Sequence, residues 1–189
     1  MGAMGDELWL VRHGQTEWSR DGRHTSVTDL PLLPEGEEVA RGLPAKLAGV
    51  DFVRVLTSPR QRARRTAELA GYPDAEVDED LVEWAYGDYE GVTTPEIRES
   101  VPGWTVWTHP VPGGETPEQV AARLDRVVAR AREVDGPILA FAHGHSLRAL
   151  AARWLGLPVA DGRLFRLDTA TVSVLGDERD HPVVLRWNS

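Results

Sequence analysis

Apolar residues gather in three short runs, at positions 7–11 (Glu-Leu-Trp-Leu-Val), 52–57 (Phe-Val-Arg-Val-Leu-Thr) and 137–142 (Pro-Ile-Leu-Ala-Phe-Ala). Runs this short, bounded by turn-forming residues, predict buried strands rather than helices. Helix-like sequence follows each one. Between the first two, Val39, Leu43 and Leu47 recur four apart and predict one helix over 34–48, kinked or shortened by Pro44. After the second run, Ser58 reads as an N-cap, Pro59 as the first helical residue and Gly71 as the stop beyond Ala70. Thr116-Pro117 opens a helix whose core stripe is Val120, Leu124, Val127 and Val128, ending near Val134. A further helix is predicted from His145 to Leu155, and paired strands around a polar turn at 171–175 and 183–187.

Strands alternating with helices imply an α/β, three-layer sandwich: a mainly parallel sheet with helices on both faces, in one domain spanning 1–189. Positions 83–93 and 101–115 show neither period. They read as loops that form a small lobe over the sheet edge where ligands bind.

Composition removes several classes of function. The chain has 189 residues, 41% of them hydrophobic, enough for one core and a small appended lobe. A net charge of -9 offers no general attraction to nucleic acid or to an anionic membrane, so neither partner is expected. With no Cys, disulfides, thiolate zinc sites and thiol nucleophiles are excluded. No apolar run reaches the roughly 20 residues of a membrane helix, and no basic-then-apolar leader opens the chain. A cytoplasmic location is expected. The opening Met1-Gly2-Ala3-Met4-Gly5 looks like a cloning remnant and is set aside.

The candidate chemistry sits at the ends of the predicted strands. Arg12-His13-Gly14 follows the first and His143-Gly144-His145 the third, and Arg62 lies in the first turn of the helix after the second. Taken alone, each has a structural reading: a hydrogen-bonded histidine, or a solvated arginine face. The solvated face suits Arg64 and Arg65, which can pair with Glu68. Arg62 differs, because its helical neighbours are Thr66 and Leu69. Together, clustered cations at one sheet edge of an acidic protein point to a specific anion pocket, and guanidinium forks beside helix N-termini suit phosphate. Zinc on His13, His143 and His145 is the rival reading. The neighbouring arginines oppose it, and no H-E-x-x-H pattern or Cys ligand exists.

Four stretches resemble the histidine phosphatase superfamily in its phosphoglycerate-mutase-like branch. They are Leu10-Val-Arg-His-Gly-Gln-Thr-Glu-Trp18, Thr57-Ser-Pro-Arg-Gln-Arg-Ala-Arg-Arg-Thr66, Glu83-Trp-Ala-Tyr-Gly-Asp-Tyr-Glu-Gly91 and Ala142-His-Gly-His-Ser-Leu-Arg148. The resemblance implies that His13 is the nucleophile that becomes phosphohistidine and that Arg12, Arg62 and His143 bind the transferring phosphoryl group. It also implies Glu83 as proton donor, and Ser19, Thr25, Ser26, Gly144 and His145 as substrate contacts. His145 stands where mutases of the family often carry Asn. The charges of the adjacent guanidinium groups disfavour a second positive charge, so His13 is expected to be neutral and ready to attack near neutral pH.

Mutases of the family carry a longer, basic insert between the Glu and second His motifs. Here Arg98 is the single Lys or Arg between Trp84 and Thr116. The expected activity is therefore a phosphomonoesterase that needs no metal or other cofactor and acts on small phosphorylated metabolites such as sugar phosphates. A phosphoglycerate mutase and a non-catalytic phosphate-ester-binding module are the alternatives. Trp84, Trp104, Trp107 and His109 either wall the pocket mouth or pack the lobe. The oligomeric state is left open, with a homodimer among the options.

Overall fold

In the computed structural model, which describes residues 7–189, the three apolar runs form the middle of one six-stranded sheet. The pentapeptide set aside above lies outside the described residues. Strands β1 (Leu8–Arg12), β2 (Arg54–Thr57), β3 (Glu76–Val77) and β4 (Ile138–Ala142) pair in parallel in the order β3-β2-β4-β1. Strands β5 (Val172–Glu178) and β6 (His181–Arg186) extend the sheet antiparallel from β1. The last two are joined by the two-residue turn Arg179-Asp180, both with positive φ, as a tight hairpin requires.

The helices are α1 (Glu17–Asp21), α2 (Pro34–Ala40), α3 (Leu43–Leu47), α4 (Gln61–Leu69), α5 (Thr94–Ser100), α6 (Pro117–Arg132) and α7 (Gly144–Trp154). Alternate strand residues serve opposite layers. Trp9, Val11, Leu139 and Phe141 pack with Leu43, Leu47 and Ala67 of α3 and α4. Leu8, Leu10, Ile138 and Ala140 pack with Val120, Leu124, Leu147 and Leu150 of α6 and α7. All five residues of β4 are buried, because both of its faces are covered.

Three local expectations are corrected. The single helix over 34–48 is two, broken at Arg41-Gly42, with Pro44 in the first turn of α3 where its missing N–H is harmless. The break takes Val39 off the shared face and leaves it 57% exposed, while Leu43 and Leu47 stay buried. Helix α4 starts at Gln61, not at Pro59, and Ser58 is not its cap. Asp29 fills that role from another loop, its Oδ1 accepting the Gln61 amide at 2.9 Å. Helix α6 does open on a Thr116–Gln119 capping box, but ends at Arg132, short of Val134. Strand β3 and helix α5 went unforeseen, although Thr93 and Glu96 form a capping box that a spacing of three could have signalled.

The site is positioned by register. Arg12 pairs with Ala142 and Thr57 with Phe141, so β1, β4 and β2 end together. The chain leaving each strand stays tied there: His13 N–H donates to Ala142 O (3.0 Å) and Ser58 N–H to Phe141 O (2.9 Å). The loop after His13 lies directly on α2, where a Cβ on Gly36 would fall 2.3 Å from Gln15 O.

Candidate active site

At the shared end of β1 and β4 lies a cleft of about 210 Å³ whose walls include Arg12, His13, Ser19, Thr25, Glu83, Gly144 and His145. His13 is 5% exposed, and its Nδ1 sits 2.7 Å from the carbonyl oxygen of Gly14. A carbonyl only accepts, so Nδ1 carries the hydrogen and the lone pair is on Nε2. Burial, then the charges of Arg62 and Arg12, hold the imidazole well below its ordinary pKa and keep it neutral. A neutral ring with a free Nε2 can attack an electrophile.

Arg12 donates through Nη1 to Leu167 O at 2.6 Å, and its buried Nε–H has no acceptor among the described residues. Its guanidinium packs against the start of α7, where a Cβ on Gly144 would come within 3.2 Å of Cζ. Arg62 is fully buried behind the cleft. It donates to the carbonyls of Thr25, Ser26 and Thr28 at 3.0–3.2 Å, and through Nε to His143 Nδ1 at 3.2 Å. His143 Nδ1 is therefore the acceptor, and Nε2–H donates to Ser58 Oγ at 2.7 Å. Burial, followed by Arg62, keeps this imidazole neutral as well. The His13 and His143 rings meet edge to face at 5.2 Å.

Glu83 stands at the N-terminus of α7. Its Oε1 accepts from Trp84 N (2.9 Å) and Ser146 N (2.7 Å), and its Oε2 from His145 N (3.0 Å). Oε2 thus accepts a single backbone N–H, and its second lone-pair direction, with the Tyr86 hydroxyl nearby, is available to carry or receive a proton. The helix terminus holds the carboxyl in place with backbone donors.

The structure brings most of the sequence-predicted residues to one cleft. Arg62 and His143 lie beneath it, with the one N–H of His143 and four of the five of Arg62 engaged by protein acceptors. Ser26 is not on its wall: the Ser26 hydroxyl donates to Glu90 Oε2 at 2.5 Å, and the Ser26 and Thr28 amides donate to the same carboxylate. Trp84 and Trp104 are buried and extend the core into the lobe, with Trp84 meeting Trp107 edge to face at 5.8 Å. Trp107 touches the cleft through His145 (5.2 Å) and Arg148, whose guanidinium lies 4.8 Å over its ring. His109 is bonded to Thr108 Oγ1 at 2.9 Å and lies off the cleft wall. Arg65 pairs with Glu37 and Glu68 on the surface, as a solvated arginine would.

The cleft also includes residues the sequence did not single out: Arg23, His24, Tyr86, Thr94, Arg148 and Leu167. Tyr86 OH lies 2.5 Å from His145 Nδ1, and His24 Nδ1 lies 2.7 Å from Val92 O. Arg148 alone carried a usable signal, since it lies one helical turn beyond Gly144 on α7.

The profile of the histidine phosphatase superfamily (branch 1) matches residues 8–189. The chain is 45% identical over 183 residues to an acid phosphatase of Mycobacterium tuberculosis, covering 94% of this chain and 90% of that one. It is 39% identical over 183 residues to sedoheptulose 1,7-bisphosphatase of Saccharomyces cerevisiae, covering 79% and 68%. Identity to the adenosylcobalamin/alpha-ribazole phosphatase of Escherichia coli is 32% over 179 residues, covering 89% and 88%. Among solved structures, the product of a Mycobacterium tuberculosis open reading frame superposes with a TM-score of 0.91 at 43% identity, covering 96% of each chain. A mycobacterial glucosyl-3-phosphoglycerate phosphatase in complex with VO3 gives a TM-score of 0.85 at 29% identity, covering 97% and 98%.

Proposed function

The chain belongs to the histidine phosphatase superfamily (branch 1) as a small-metabolite phosphatase, and we propose that it hydrolyses sugar phosphates and similar monoesters through a phosphohistidine on His13. The observation that carries this reading is the Gly14 carbonyl on His13 Nδ1, which leaves Nε2 with a lone pair in a cleft beside Arg12 and Glu83.

In the first step His13 Nε2 forms a bond to phosphorus, the ester P–O bond breaks, and its electron pair leaves on the alkoxide. Glu83 supplies the proton that neutralises this oxygen, from the free direction on Oε2. In the second step water attacks the phosphohistidine, Glu83 takes up a proton, and the P–N electron pair returns to Nε2 as inorganic phosphate departs. Arg12 and Arg62 supply the positive charge that the in-flight phosphoryl group requires, so no metal step is proposed. For His143 to bind a phosphoryl oxygen directly, its Nε2–H must exchange Ser58 Oγ for that oxygen, whereas Arg62 has bonded four of its five N–H groups and keeps the second on Nη1.

Rapid-quench labelling tests the reading. Acid-labile, base-stable phosphate is expected on His13, with full activity in EDTA and inhibition by vanadate, whose trigonal-bipyramidal adduct mimics the transferring group. Full activity in His13→Ala would overturn it.

A further inference from the structure

Glu83 stands on an irregular stretch between the 3₁₀ turns Glu79–Leu81 and Gly87–Tyr89, so no helix or strand of its own sets its position. What grips the backbone on both sides of it is an ion pair reached from α6, between a buried arginine and a half-buried carboxylate. Arg123 is 6% exposed, and its fork makes four hydrogen bonds. Nη1 donates to the carbonyls of Asp80 (2.8 Å) and Val82 (3.0 Å), while Nε and Nη2 donate to the Glu115 carboxylate at 2.8 and 3.0 Å. Glu115 holds the other side. Its Oε2 accepts the Ala85 amide (2.9 Å), its carbonyl accepts the Trp84 indole N–H (2.9 Å), and its own amide donates to Ala85 O (2.9 Å).

We propose that the Arg123–Glu115 pair is a positioning device for Glu83, fixing the backbone from which the carboxyl reaches both the amides of α7 and the leaving oxygen. The proposal rests on the reading of Glu83 as general acid. A proton donor works within about 2.6–3.2 Å of its target, and a misplacement of about 1 Å can cost about 10²-fold. Holding two carbonyls and a carboxylate at once takes a planar fork, which Lys lacks. Arg126 and Arg130 reach the same stretch further along α6, through Asp80 and Asp78. The arginines of those pairs are far more exposed than Arg123, and they grip side chains of this stretch rather than its backbone, so their contribution is smaller. Arg126 is therefore a built-in control.

The test is single-turnover phosphorylation of His13 by glycerol 3-phosphate and by 4-nitrophenyl phosphate, in the wild type and in Arg123→Lys, Arg126→Gln and Glu83→Gln. A nitrophenolate leaves without protonation, whereas an alkoxide does not. Glu83→Gln and Arg123→Lys should each slow the alkyl ester at least about tenfold more than the aryl ester. Arg126→Gln should slow neither beyond about twofold. Equal slowing of both esters in Arg123→Lys, with discrimination kept in Glu83→Gln, overturns the positioning role alone. Equal slowing in Glu83→Gln overturns the acid assignment and the positioning role with it. If Arg123→Lys does not fold, Glu115→Gln is judged by the same criterion, because both carboxylate oxygens accept and the amide NH2 must then oppose a donor of Arg123 or Ala85, which breaks the grip on one side.

Discussion

His13 Nδ1 lies 2.7 Å from the carbonyl oxygen of Gly14, a bond between neighbours in the chain that holds the ring in one tautomer and aims the other nitrogen away from the backbone. With burial and two arginines depressing its pKa well below 6.5, the ring stays in its attacking form as the medium turns acid. Once corrected for the substrate's own ionisation, kcat/KM should not turn down at pH 6.5. A downturn centred there would mean that His13 titrates as an ordinary histidine.

The same shifts bear on stability, with a definite sign. His13, His143 and His145 are all held below 6.5 in the folded chain, mainly by burial. Below that pH the unfolded chain binds protons that the folded chain refuses, so stability is full above about pH 6.5 and falls as the medium is acidified. Thermal unfolding from pH 8 to pH 5 should show Tm declining below 6.5. A Tm that rises on acidification from 6.5 would contradict the burial of these rings.

Gly36 is required by contact, because a Cβ there would press 2.3 Å from Gln15 O, a backbone atom that cannot swing away. Gly36→Ala should destabilise the fold by about 1–3 kcal/mol and, by shifting the loop after His13, lower kcat for every substrate alike. Denaturant unfolding with a two-substrate assay measures both effects. Unchanged stability would show that α2 and this loop separate freely.

Ser26 belongs to the framework. Its hydroxyl and amide both bind Glu90, and its carbonyl accepts from Arg62. Ser26→Ala should cost about 1–3 kcal/mol of stability, by leaving a carboxylate oxygen short of a donor, with KM nearly unchanged. A KM effect without a stability effect would restore it to the substrate wall.

Incubation with 3-phosphoglycerate should release inorganic phosphate and produce no 2-phosphoglycerate, read by phosphorus NMR. The short stretch between Glu83 and His143, with Arg98 as its one basic side chain before α6, offers little to retain a second phosphate. Efficient interconversion stimulated by 2,3-bisphosphoglycerate would reverse this.

Where a signal is local, it could be read from the chain alone. The apolar runs that become β1, β2 and β4 need only their own composition, and the Thr116–Gln119 box that opens α6 spans a single turn. Because parallel strands share one direction, the sequence places Arg12, His13 and His143 at one edge of the sheet, with Arg62 nearby. Tertiary structure decided whatever depends on partners distant in sequence. Ser58 has the makings of a cap, but its hydroxyl serves His143, 85 positions on, and Asp29 caps α4 instead. His24 joins the cleft wall while bonded to Val92, 68 positions away. Arg123 reads as one more charge on an amphipathic helix until the fold brings Asp80 and Val82 under it. The physical reason is common to all three: a buried polar group must find a partner, and its own stretch of sequence does not say which distant atom that will be.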